Sequence, residues 1–159
     1  MFTEMMEIEL DAHDRSILRI LQRDNKAPQR EIGERVGLSA PAVQRRIARM
    51  EGGGVIKANV AILEPDAVRQ NITVVVEVSA ISAGSAEIDK LRATFLAAPE
   101  IQQCYRVTGD LAFVLIMLVP SMQEYETRTR RLLADNPGVK SYTSMVVLDR
   151  IKTGSDVFF

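Results

Sequence analysis

The chain has 159 residues, 47% of them apolar, a formal net charge of -1 and one cysteine, Cys104. That apolar content sustains packed cores and excludes wholesale disorder, while a lone cysteine excludes an internal disulfide and fits a reducing compartment. With so little net charge, nucleic-acid affinity has to come from a local basic face, helped by dimerisation, rather than from the overall field.

Residues 1 to about 9 read as a loose tail. The acidic start (Glu4, Glu7, Glu9, Asp11) lacks the charged-then-apolar pattern of a secretion signal. A helix then begins at Leu10-Asp11-Ala12-His13-Asp14, with Asp11 as N-cap and Asp14 near the positive end of the dipole. Ile17, Leu18, Ile20 and Leu21 form its apolar stripe. The sole histidine, His13, is a solvated first-turn residue and gives a metal site no support. Asp24 to Pro28 turns the chain.

Gln29 to Met50 reads as helix, tight turn, helix. Ile32, Val36, Leu38, Val43, Ile47 and Met50 are spaced so that two short helices share one small core. Gly37 can take positive φ and end the first helix; Ser39 suits the N-cap of the second, with Pro41 in its first turn. Three arginines and no acid lie between Ser39 and Met50. These features outline a DNA-binding helix-turn-helix. A Gly52-Gly53-Gly54 turn and a strand from Val55 to Leu63 are expected to supply a wing and an exit, making the head winged-helix-like.

Beyond a connector at Glu64 to Asn71 the pattern changes. Ile72 to Val78 is β-branched and strand-like. Ser85 to Ala97 is helical, with Ile88, Leu91, Phe95 and Leu96 on one face. Ile101 to Thr108 and Leu111 to Val119 form two strands around a Gly109-Asp110 hairpin turn. Ser121 to Glu124 is a capping box opening a helix with Tyr125, Leu132 and Leu133 inward, and Val139 to Ile151 is a last strand. The fold class is therefore α+β: a helix-turn-helix head followed by a ferredoxin-like βαββαβ domain. The domains are 10–56 (DNA-binding), 57–71 (linker strand and connector) and 72–154 (effector binding and oligomerisation). Both faces of the Leu111 to Val119 strand are apolar, so one must meet a partner; a two-fold homodimer, sheet to sheet, is the simplest solution. The same run is too short to span a bilayer, and a cytoplasmic protein without a membrane partner is expected.

The run Gly37-Leu38-Ser39…Val43…Arg46-Ile47…Met50-Glu51…Gly54-Val55-Ile56, followed by a βαββαβ domain with Val107-Thr108-Gly109-Asp110 at its hairpin, resembles the Lrp/AsnC family of bacterial and archaeal transcription regulators. The resemblance covers nearly the whole chain from Leu10 onward. It implies a homodimer that commonly assembles to octamers, a tetramer of dimers. It also implies a C-terminal domain that often binds an amino acid between neighbouring dimers and so changes DNA binding or assembly. One departure stands out. Amino-acid-sensing members often read Gly-Asp-aromatic-Asp at the hairpin, whereas this chain reads Gly109-Asp110-Leu111-Ala112, without the second carboxylate. Arg106 also stands where many members have an apolar residue. The effector is therefore held differently, is not an ordinary zwitterionic amino acid, or is absent.

A 100° step per residue puts Val43, Ile47 and Met50 on the buried side of the second helix and projects Gln44, Arg45, Ala48 and Arg49 outward, with Ala40 and Pro41 leading after Ser39. Arginine can grip guanine and glutamine can address adenine in the major groove, so Gln44 and Arg45 are the base-edge candidates and Arg49 a phosphate candidate. Arg46, at the edge of the buried stripe, either contacts phosphate or closes an internal salt bridge. Gln29 and Arg30 can meet backbone phosphate. For an effector, Thr108, Gly109 and Asp110 offer backbone donors and an acceptor beside a glycine turn. Arg106 and Ala112 flank them, and Met122, Tyr125, Ser144, Met145, Val146 and Val147 match family pocket positions. The plain alternative is a good turn beside core residues. No Cys/His pair, Ser/His/Asp set or phosphate-binding glycine loop is present, so no enzyme, cofactor or metal is expected. The competing reading is an effector-independent regulator, or a small-molecule-controlled assembly protein without ligand-gated DNA binding.

Overall fold

The computed structural model describes residues 8–159; the tail expected at the start lies largely outside them. The chain forms two compact units, one comprising Met1–Ile62 with Gly154–Phe159 and the other Leu63–Thr153.

The first unit contains three helices: α1 (Ala12–Leu21), α2 (Gln29–Val36) and α3 (Ala40–Gly52). Helix α1 starts on a reciprocal capping box. The Asp11 carboxylate accepts from the Asp14 N–H at 2.8 Å, and the Asp14 carboxylate accepts from the Asp11 N–H at 3.1 Å. Such a cap contributes about 1 kcal/mol. Ile17, Leu18, Ile32, Val43 and Met50 are buried together, as the apolar periodicity requires. The expected wing is not formed. Gly52 is the last residue of α3, and the N–H groups of Val55 and Ile56 fold back onto the Met50 carbonyl at 2.9 and 3.1 Å. Both side chains then pack against the head core instead of opening a strand. Residues 57–63 have no strand partner among the described residues, and β structure cannot persist without one. The last six residues return to the head. Val157 exchanges two hydrogen bonds with the Gln22 amide at 2.7 and 3.0 Å, and the Phe159 ring sits 5.5 Å under the Arg19 guanidinium.

The second unit runs β1 (Ile72–Ala80), α4 (Ser85–Leu96), β2 (Ile101–Arg106), β3 (Phe113–Val119), α5 (Met122–Thr129, continued by a wider π-type turn Arg130–Ala134) and β4 (Val139–Val146). Its antiparallel sheet has the order β2-β3-β1-β4, the expected βαββαβ topology. Val74, Val76 and Val78 of β1 and Phe113, Leu115, Met117 and Val119 of β3 are buried under Leu91 and Phe95 of α4 and Tyr125, Leu132 and Leu133 beyond it. Phe95 and Phe113 meet edge to face at 5.3 Å between centroids. Leu96, expected on the inner face of α4, is 71% exposed.

Two strands end earlier than expected. β4 stops at Val146 rather than Ile151. Val146 lies opposite Val74, and β1 begins only two residues before Val74, so the ladder runs out of partners. Arg150 then turns to Glu64 and Asp66 at 3.0 and 2.9 Å. The hairpin is a six-residue loop, residues 107–112, rather than a two-residue turn. Ala112 is drawn out of the turn because its N–H donates to the Val78 carbonyl at 2.8 Å.

Candidate functional site

The helix-turn-helix is held by two glycines with different tasks. Gly37 ends α2 at φ 72° and ψ 34°, the left-handed conformation that a side chain disfavours. Gly33 permits close approach: a Cβ there would lie 2.3 Å from the Leu38 carbonyl oxygen. The Leu38 N–H closes the turn by donating to the Gly33 carbonyl at 2.9 Å. Gly33 was not singled out from sequence; its signal was a glycine where helix α2 must touch the chain beyond its own turn.

Ser39 caps α3 in extended conformation without a side-chain bond, with Ala40 and Pro41 in the first turn. Val43 and Met50 point into the core and Ile47 is half-buried. Gln44, Arg45 and Ala48 are exposed, and the Gln44 and Arg45 side chains bond to nothing among the described residues. The other two arginines are engaged. Arg46 Nη1 donates to Asp11 Oδ2 at 2.7 Å and to Asp14 Oδ1 at 2.8 Å. Arg49 pairs with Asp14 Oδ2. Arg46 thus takes the internal salt bridge of its two alternatives, and Arg49, expected to project outward, is exposed but also tied to α1. Asp14 is 0% exposed, so it is much more than a dipole-stabilising residue. The Asp14 N–H, and secondly Arg46, hold the Asp11 carboxyl at about 2, below its ordinary 3.8. The two acids raise the Arg46 pKa further, keeping it charged. Gln29 and Arg30 sit exposed at the start of α2, Arg30 in a solvent-facing pair with Glu34 at 3.1 Å. Such a pair is weak enough for a phosphate to displace.

The effector candidates separate into groups. Arg106, Thr108, Gly109 and Asp110 share the loop end of the sheet. Arg106 lies 5.5 Å over the Phe113 ring and donates to the carbonyls of Val107 and Ala112 at 3.2 and 2.8 Å, pinning the loop. Gly109 takes φ 101°. The N–H groups of Thr108, Gly109, Asp110 and Leu111 have no acceptor among the described residues. Ala112 is buried in the core and is corrected from a pocket residue to a structural one. Met122 and Val147 lie toward the other end of the sheet, where the Val147 N–H donates to the Thr73 carbonyl at 2.9 Å. The seven residues of β3 separate these ends by about 20 Å. Between them the Tyr125 hydroxyl bonds Ser144 Oγ, tying α5 to β4, and burial raises the Tyr125 pKa. The alternation of β4 puts Ser144 and Val146 on the helix-covered face and Met145 on the open one, opposite Val75.

That open face carries Val75, Val114, Ile116 and Leu118, all half-buried, and Met145, which is exposed. Among the described residues no group of His, Cys, Asp and Glu is placed to hold a metal, and no helix is long and apolar enough to cross a membrane.

Comparison with known proteins gives two family matches: residues 10–51 to the AsnC-type helix-turn-helix domain and residues 73–157 to the Lrp/AsnC ligand binding domain. An HTH-type transcriptional regulator of Sinorhizobium fredii is 38% identical over 145 residues, covering 91% of this chain and 86% of that protein. The leucine-responsive regulatory protein of Salmonella typhimurium is 32% identical, covering 91% and 88%. A transcriptional regulator of Neisseria meningitidis, solved as a complex with L-Met, superposes with a TM-score of 0.87 at 26% identity, covering 94% of this chain and 96% of that one.

Proposed function

This chain belongs to the Lrp/AsnC family of helix-turn-helix transcriptional regulators, not to a family of enzymes, and from that premise we propose that it reads duplex DNA with α3 under the control of a small effector. The observation that carries the reading is the pair Gln44 and Arg45, exposed on α3 and bonded to nothing among the described residues. Their outward direction suits a major groove. Ser39, Ala40 and Pro41 lead the helix in, and Gln29 and Arg30 address the backbone. Gel shift on a duplex enriched from a random pool tests this. Arg45→Ala should relax base preference at one position of each half-site, and undiminished, equally specific binding would refute the assignment.

The effector proposal is an amino acid, its carboxylate on the free N–H groups of the Thr108–Leu111 loop and its ammonium facing Asp110. The loop and the Met122–Val147 end are too far apart to close on one small molecule within one chain. That separation supports a site completed by a second copy. The open apolar face, with Val75, Ile116 and Met145 in one row, supports homodimerisation, and dimers would group further to bring the two ends together. Residues 72–154 would serve both tasks, in the cytoplasm. A thermal-shift screen against the twenty amino acids tests the effector. A Gly109→Val protein should lose the response while still melting cooperatively; a retained response would refute the loop site.

A further inference from the structure

Asp14 is a fully buried carboxylate whose partners come largely from the reading helix. Its Oδ1 accepts from Arg46, and its Oδ2 accepts from Arg49 and from the Asp11 N–H. We propose that Asp14 sets the specificity of the head by withholding Arg46 and Arg49 from the DNA backbone, so that Arg45 alone of the three α3 arginines meets the duplex.

The relative strengths of the two attachments decide this. A buried carboxylate that loses its cations is left as an uncompensated charge in a low-dielectric site, among the costliest local changes a folded protein can undergo. A DNA phosphate offers each arginine only a solvent-exposed contact in return. The arginines therefore stay with Asp14 on binding. Because the two carboxylates of Asp11 and Asp14 already offset their two charges, the N–H groups left over bring no net charge to a phosphate. The hold is graded: Arg46, on two carboxylates, is 26% exposed at its side chain, and Arg49, on one, is 47% exposed. Non-specific affinity scales with the number of phosphates neutralised, whereas base reading does not. Two arginines withdrawn thus lower binding to arbitrary duplex and leave the contacts of Gln44 and Arg45 in place. Asp14 is a positioning residue, since it acts only through the arginines.

The proposal presupposes the DNA reading above, and the full-length chain tests it against two probes, a mixed-sequence duplex and the duplex enriched by the wild-type chain. The measurement is the slope of log affinity against log salt. Asp14→Asn retains an acceptor for the cap but removes the charge. It should bind the mixed duplex more tightly, with a slope steeper by about one unit per head for each arginine released, and its preference for the enriched duplex should fall. Arg49→Ala should leave the wild-type slope unchanged and, added to Asp14→Asn, should reverse one unit of the increase. An Asp14→Asn slope equal to wild type, or a head that merely binds both duplexes more weakly, overturns the proposal. If Asp14→Asn does not fold, Arg49→Ala decides alone: an unchanged slope supports withholding, and the loss of about one unit per head refutes it. Failure of the wild-type chain to bind either duplex would instead refute DNA reading itself, and the proposal with it.

Discussion

The head closes over Ile17, Leu18, Ile32, Val43 and Met50, while the C-terminal unit buries fourteen side chains including Phe95, Phe113, Leu115 and Met117. The smaller core also contains a fully buried carboxylate bonded to two arginines; the larger one is sheet against helix, with Phe95 and Phe113 at its centre. The contrast shows two ways of orienting an element. The sheet domain places its loop and strand ends by packing, which resists any change of volume. The head orients α3 with charge-assisted bonds as well, and these respond to charge and, at Asp11, to acid.

Breaking each side of the contrast should therefore need a different substitution. Phe95→Ala should cost the sheet domain about 3–5 kcal/mol through cavity formation, seen as faster amide exchange across β1 and β3 with the amides of α1 to α3 unchanged. Next, Arg46→Ala should destabilise the head by about 3 kcal/mol, because Asp14 keeps its burial and loses one of its two cations; exchange at α1 and α3, but not in the sheet, reports it. Gly37→Ala should cost about 1 kcal/mol by placing a Cβ at positive φ, read as a lower denaturation midpoint of the head. The smallest effect is acid sensitivity. Because the Asp11 carboxyl is depressed to about 2, its stabilisation is complete above 3.8 and is lost as the pH falls from 3.8 towards 2. The head should thus weaken across that window in wild type and less so in Asp11→Asn, followed by helix circular dichroism. One further substitution sharpens the contrast from outside the cores. If the open sheet face is the homodimer seam proposed above, Ile116→Lys should sediment as a monomer where the wild-type chain sediments as a dimer, with the amide protection of the fold intact.

Much of this architecture was legible because its signals are local. Asp11 as a cap, Gly37 as a left-handed stop and Ser39 before Pro41 each act within one helical turn. The alternation from Leu111 to Val119 showed two apolar faces before any partner was known. The misreadings share a cause. Val55 to Leu63 has strand-like residues, but a strand exists only if another pairs with it, and Val55 and Ile56 instead found the Met50 carbonyl. Gly109-Asp110 has hairpin chemistry, yet Ala112 pairs with Val78 on β1 and stretches the turn to six residues. Ala112 looked like a lost ligand and is a core residue for the same reason.

Composition, apolar periodicity and turn chemistry by themselves determined the three-helix head, the βαββαβ order and the basic helix, since each depends on residues at most a few positions apart. Only the tertiary structure decided how the arginines of that helix divide. Asp14 lies 32 and 35 positions from Arg46 and Arg49. The matched spacing of the two pairs, Asp11 with Asp14 and Arg46 with Arg49, was present in the sequence but had no meaning until α1 and α3 were packed side by side. Charge pairing across a core depends on where helices cross, and no local rule encodes that crossing.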